Sequence, residues 1–291
     1  MKRNVLNIAY TSHLDPTKHV YSEADLQQLH EAFWAKRLIR KSMSLSAFID
    51  WTTKKKLLKK IPLQYSHGKA PKRYSTHQFS PYELALSLRK NAYLSHGTAA
   101  FLLSLTNEEP QTVYLNAEQS SKEAKDTSDV LTQDALDLAF SKSQRQSKHR
   151  VTSRDFSITL LHGKQSGNLG VQTIKGEAGE SLALTDIERT LIDITVRPTY
   201  GGGVRTVFRC YLSAKGRVST SKLIRTLKQL NYTYPYHQAI GFYLAHAGYS
   251  KESREELRED LQHNFYLAHD MKKPFTIKNG ESISQNDLPI S

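Results

Sequence analysis

Three neighbouring acids, Asp186, Glu188 and Asp193, are the residues whose type and spacing come nearest to a reaction centre. Converging carboxylates can hold a divalent metal that cuts a phosphodiester, and a lysine beside them would strengthen that arrangement. Asp186 and Glu188 lie two apart in a helical stretch and so are expected to face different ways. The nearest downstream lysine is Lys215. The twelve histidines are scattered, with no H-x-x-x-H pair beside a helix-borne acid. His162–Gly167 (HGKQSG) lacks the glycine and lysine order of a phosphate loop, and Gly201–Gly203 follow a proline-stopped helix rather than a strand, unlike a dinucleotide fingerprint. The single cysteine, Cys210, has no partner for an internal disulfide and sits among Val207, Phe208, Tyr211 and Leu212, as a buried structural thiol would. No metal and no cofactor are expected, and the chain reads as a binder rather than an enzyme.

Charge says what is bound. The 291 residues carry a formal net charge of +13. Residues 1–90 hold 17 Lys/Arg against 6 Asp/Glu, and the remainder holds 24 against 22. Within Lys36–Arg73 there are 12 basic residues and one acid, Asp50. Such a block is the footprint of a phosphate-binding module, because each phosphate neutralised releases condensed counterions. A mean hydropathy of −0.55 and the lack of any apolar run approaching the roughly 20 residues of a membrane span argue for a soluble chain. The apolar segment before Thr11 is too short for a signal peptide, so the expected location is cytoplasmic.

Two helices are needed to present that charge. Ser22 is a cap before Leu26, Leu29, Phe33 and Ile39 at helical spacing. Ser44 caps a second stretch, Leu45–Lys55, with Leu45, Phe48, Ile49 and Thr52 on one face. A strand-like Lys56–Tyr65 and the Gly68 and Pro71 turn follow. Helices followed by a basic hairpin are the order of a winged helix-turn-helix, with Leu45–Lys55 in a major groove. Ser46, Trp51 and Thr53 are then the candidates for base contact, and Lys54, Lys55, Lys56, Lys59, Lys60, Lys69, Lys72 and Arg73 for phosphate. Asp50 fits this role poorly, since phosphate repels it unless it pairs with a lysine or accepts from a cytosine amino group.

The rest predicts a larger mixed α+β unit: residues 1–78 form the DNA-binding domain and 79–291 the second. Ser80-Pro81 with Glu83 starts a helix, and a second lies near Gly97–Ser104. Strands are expected at Gln111–Ala117, Phe156–Leu161 and Gly170–Ile174, and a polar loop from Gln119 to Val130. Leu131–Phe140 reads as a helix with Leu131, Ala135, Leu138 and Ala139 inward. Asp186 or Thr185 caps a helix that Pro198 stops, Val204, Val207, Phe208 and Leu212 mark another, and Ser219 caps a third. Gln238–Ala247 forms a last buried helix, and the polar tail from Lys272 is expected to fray.

Several of these strings resemble the AbiEi family of bacterial antitoxins, the regulatory half of type IV toxin–antitoxin systems of abortive infection. They are SPYELALSLRKNAYLSHGTAAFLLSL, LTQDALDLAFSKSQRQS, LTDIERTLIDITVRPTYGGG and YPYHQAIGFYLAHAGY, in that order along most of the chain. The resemblance implies an N-terminal winged helix that represses its own operon through inverted repeats. It also implies a C-terminal domain that counteracts a nucleotidyltransferase-like toxin. The sequence leaves the oligomer open, with a monomer or weak dimer expected. The candidate partner surface comprises Glu188, Arg189, Asp193, Arg197, Tyr200, Tyr236 and His237. Arg189 and Asp193 also read as an i,i+4 ion pair on an exposed helix face, while Arg197, Tyr200, Tyr236 and His237 read as exposed residues without a packing role. The alternatives are a metal-dependent nuclease built on the three acids and a ligand-sensing transcription factor with no toxin.

Overall fold

A computed structural model describes residues 14–76, 78–120, 131–257 and 263–270. The chain is mixed α+β. Most of the charged Gln119–Val130 stretch and the tail beyond Asp270 lie outside the described residues.

The N-terminal part opens with strand β1 (Val20–Ser22) and helix α1 (Glu23–Ala35). Ser22 caps α1 through a reciprocal box: its hydroxyl accepts from the Asp25 amide, and its own amide donates to the Asp25 carboxylate. Helix α2 (Leu45–Lys54) starts at Ser44, whose hydroxyl accepts from the Ala47 amide. Phe48, Ile49 and Thr52 form its buried face, and Phe33 and Phe48 meet edge to face across the two helices. Short strands β2 (Lys59–Lys60), β3 (Gln64–Tyr65) and β4 (Arg73–Ser75) follow.

These strands do not make the expected simple hairpin. β4 pairs antiparallel with both β1 and β2 in a small sheet ordered β1-β4-β2. β3, which lies between β2 and β4 in sequence, instead joins a second sheet.

That second sheet has the order β3-β7-β8-β6-β5-β10-β9. Its other members are β5 (Tyr93–Leu94), β6 (Val113–Glu118), β7 (Arg150–Thr152), β8 (Ser157–Gly163), β9 (Val171–Lys175) and β10 (Ser181–Thr185). The β6–β8 and β5–β10 pairs are parallel and the others antiparallel. Helix α3 (Pro81–Leu88), with Ser80 as its cap, buries Leu84, Ala85 and Leu88 against this sheet. Its Glu83 carboxylate accepts the amides of His19 (2.6 Å) and Val20 (2.9 Å) and so fastens β1 to α3.

A helical layer completes the fold: α4 (His96–Leu102), α5 (Gln133–Phe140), α6 (Ile187–Val196), α7 (Val204–Ala214), α8 (Thr220–Leu230) and α9 (Tyr236–His246). α6 is its axis, with Leu191, Ile192 and Ile194 fully buried among side chains of α4, α7, α8 and α9. After Pro198 a single 3-10 turn leads to Gly202 and Gly203, whose φ values of 85° and 89° let α7 start at a sharp angle.

Two apolar stripes differ from expectation. On α5 the buried residues are Leu136 and Phe140, while Ala135 and Leu138 are exposed, Leu138 by 60%. Phe140 decides the face, stacking on Tyr266 and His269 of the returning C-terminal strap. On α7 the stripe is Thr206, Val207, Cys210, Tyr211 and Ala214, and Leu212 is left 45% exposed. Tyr211, stacked on Tyr243 of α9, sets that rotation.

Candidate nucleic-acid interface

Burial of Phe48, Ile49 and Thr52 turns the opposite side of α2 outward. Ser46, Asp50, Lys54, Lys55 and Lys56 are exposed there, and Lys59 and Lys60 continue the same charge along β2. Among the described residues, none of these five lysines enters an ion pair within the protein. An exposed polar and cationic rim thus borders a helix whose inner face is held by the α1–α2 aromatic packing.

The candidates for base contact differ in availability. Ser46 is exposed. Trp51 is half-buried, its ring 5.8 Å from that of Phe48. The Thr53 hydroxyl donates back to the Ile49 carbonyl at 2.6 Å, a local bond that turns it toward its own helix.

The expected wing is corrected at Arg73, which is buried rather than displayed. Its guanidinium donates to the Ser87 carbonyl and hydroxyl and to the Lys72 carbonyl, tying β4 to the end of α3. Lys72 is exposed but sits 2.9 Å from the Glu23 carboxylate. Lys69 is exposed in the turn after β3.

The seven residues expected as a partner surface divide more sharply. Arg189 and Asp193 do pair, at 2.8 Å, but their side chains are 3% and 6% exposed, not on a solvent face. Arg189 also donates to the Leu169 carbonyl and the Ser166 hydroxyl. Burial would lower its pKa, yet the Asp193 carboxylate more than offsets this and holds the guanidinium charged. Tyr200 is buried too, its hydroxyl accepting from the Ser147 amide at 2.7 Å. Tyr236 and His237 are half-buried, Tyr236 against the rings of Tyr232 and Tyr234. Arg197 is exposed; it donates to the Arg145 carbonyl at 2.9 Å.

Glu188 is buried, and here the placement of the acids is corrected as well. Asp186 and Glu188 do not diverge; both reach the ammonium of Lys222 on α8, each at 2.8 Å. The remaining oxygens are taken: Glu188 accepts the Ser219 amide and Asp186 caps α6 through the Arg189 amide. Burial alone would raise the Glu188 pKa, but Lys222 and the Ser219 amide bring it below the usual range. Asp193 faces Arg189 instead. The three acids are therefore spent on ion pairs, Asp186 and Glu188 on a joint to α8 and Asp193 on a pair within α6, and no group of three or more His, Cys, Asp or Glu residues suited to a metal occurs among the described residues.

Sequence reasoning missed the hub beside Arg189. Glu118, at the end of β6, accepts the amides of Ser166 (2.8 Å), Gly167 (3.0 Å) and Asn168 (3.2 Å) and the Ser166 hydroxyl. These donors outweigh burial and lower the Glu118 pKa. Gly167 and Asn168, at φ 65° and 58°, curve the backbone into a concave nest for the carboxylate. A lone glutamate 48 residues before its partner carries no signal in sequence.

No family model and no curated protein matches this chain. Among solved structures it is similar to the crystal structure of the RV2827C protein from Mycobacterium tuberculosis, at a TM-score of 0.50 and 14% identity, over 87% of this chain and 78% of that one. That likeness is one of fold. No helix among the described residues is long and apolar enough to cross a membrane.

Proposed function

We propose that this chain is a duplex-DNA-binding regulator that represses its own promoter through inverted repeats and also acts as the antitoxin to a nucleotidyltransferase-like toxin of the same operon. The observation that carries the DNA reading is the unpaired cationic rim of α2 and β2, Lys54, Lys55, Lys56, Lys59 and Lys60, on an otherwise well-anchored helix. Two capped helices followed by β2 and, after β3, by β4, with β1, β4 and β2 in one three-stranded sheet, are compatible with a winged-helix reading and support α2 as the groove-entering helix. The antitoxin half rests on the family resemblance of residues 80–105, 131–147, 184–203 and 234–249.

Charge reversal of Lys54, Lys55 and Lys56 to Glu tests the DNA half. Binding to the gene's own upstream duplex is expected to fall by at least tenfold, and the salt dependence to become shallower. Unchanged affinity would remove α2 from the interface. For the antitoxin half, the downstream nucleotidyltransferase-like reading frame is expressed with and without this chain. Restored growth supports the pairing; no rescue leaves a regulator without a toxin.

A further inference from the structure

Both α1 and α2 end in the same way. At the end of α1 the Leu38 amide reaches back to the Phe33 carbonyl (2.9 Å), and at the end of α2 the Leu57 amide reaches back to the Thr52 carbonyl (3.0 Å). The six-to-one bond of this helix stop requires a left-handed residue just before its donor, a place usually taken by glycine or asparagine. Here the residues are Arg37 and Lys56, each at φ 56°. They are the sole arginine and lysine among the positive-φ residues described; the others that are not glycine are Asn, Asp, Ser and His. Holding a long side chain in this conformation costs roughly 1 kcal/mol per residue.

A cation near a helix C-terminus has a modest electrostatic benefit of its own, but that is available from ordinary positions in the last turn. The left-handed position puts these two cations beyond the last turn, in the connections that leave α1 and α2. Arg37 and Lys56 are both exposed. Arg40 and Lys41 follow Arg37 in the turn that feeds the start of α2, also exposed, with the Lys41 ammonium 5.9 Å above the ring of Trp34. The His30 ring bonds the Met43 carbonyl at 2.8 Å and pins that turn to α1. Cations therefore stand at both ends of α2. Its 10 residues span about 15 Å, against a major groove about 12 Å wide.

We infer that Arg37, with Arg40 and Lys41, is a second phosphate anchor, so that α2 is held between the two backbone walls of a duplex groove, Lys56 and its neighbours touching one and Arg37 the other. This rests on the DNA reading above and adds residues and a geometry to it. Both anchors are sequence-independent contacts, so they fix the depth and register of α2 while its exposed face reads bases.

Glycine substitution separates this role from a structural one, because glycine is the better residue for the turn. In the full chain, Arg37→Gly and Lys56→Gly are expected each to raise or preserve the melting temperature. Each is expected to weaken binding to both the upstream duplex and an unrelated duplex of equal length, and to lower the slope of log affinity against log salt by about one. The double variant is expected to lose at least tenfold in affinity, and Arg37→Lys to retain most of it. A stabilised Arg37→Gly that binds with wild-type affinity and salt slope overturns the second anchor alone. Wild-type protein that binds neither duplex overturns the DNA reading and this inference together.

Discussion

Arg189 and Asp193 show how much a single i,i+4 spacing conveys and where it stops. The pairing was legible in sequence; its burial was not, because Leu169, Ser166 and Gly170, which cover it, come from a loop some 20 residues earlier. Removing one partner leaves the other charge buried. Arg189→Met is expected to cost about 3–5 kcal/mol in urea unfolding, and adding Asp193→Leu to recover much of that loss. His96 gives a second prediction. Its ring packs edge-on to Tyr200, and burial, helped by Arg197 and Arg189, holds its pKa down at about 3 against an ordinary 6.5. Between those values the unfolded chain binds a proton that the folded chain refuses, so stability falls as pH drops from 6.5 toward 3, by about 1.4 kcal/mol per pH unit from this group. Unfolding midpoints measured across that range should show the slope in wild type and a shallower one in His96→Asn. Cys210 behaved as a packed thiol, pushed by burial up to about 12.

Among the elements, helix starts were the most readable features. Ser22, Ser44, Ser80, Asp186 and Ser219 each accept the expected backbone amide, since a cap acts through its own local chemistry. The faces of α5 and α7 were not readable in the same way. Both helices carry apolar residues on more than one side, and aromatic partners supplied from the distant Tyr243 and Tyr266 select which side is covered. The start of α4 depends on a close approach that only the folded chain displays: a Cβ on Gly97 would lie 2.7 Å from the Tyr200 carbonyl oxygen. Gly97→Ala is therefore expected to cost about 1–3 kcal/mol, checked by denaturant titration, through displacement of the 3-10 turn after Pro198.

For the whole molecule, the basic surface was visible in composition, whereas the way it is mounted depends on pairings across long sequence separations. β3 leaves the small sheet and pairs with β7, Gln64 opposite Thr152 and Tyr65 opposite Val151. The Ser66 hydroxyl adds bonds with the Lys148 carbonyl and the Arg150 amide. Val20 and Ile61 share a core with α3 and the large sheet, and Glu83 holds β1. A fragment of residues 1–78 loses all of these contacts. It is expected to melt well below the full chain, or to lack a cooperative transition, when the two are compared by circular dichroism.

The β3–β7 pairing also sets an order of events during synthesis. β1, α1 and α2 can associate as soon as they emerge, but the segment between Ile61 and Arg73 cannot be closed until Thr152 has left the ribosome. A nascent chain would thus carry its lysine-rich rim on the packed α1–α2 pair while the segment between β2 and β4 is still unpaired, and that segment would be secured only when more than half of the protein had been made.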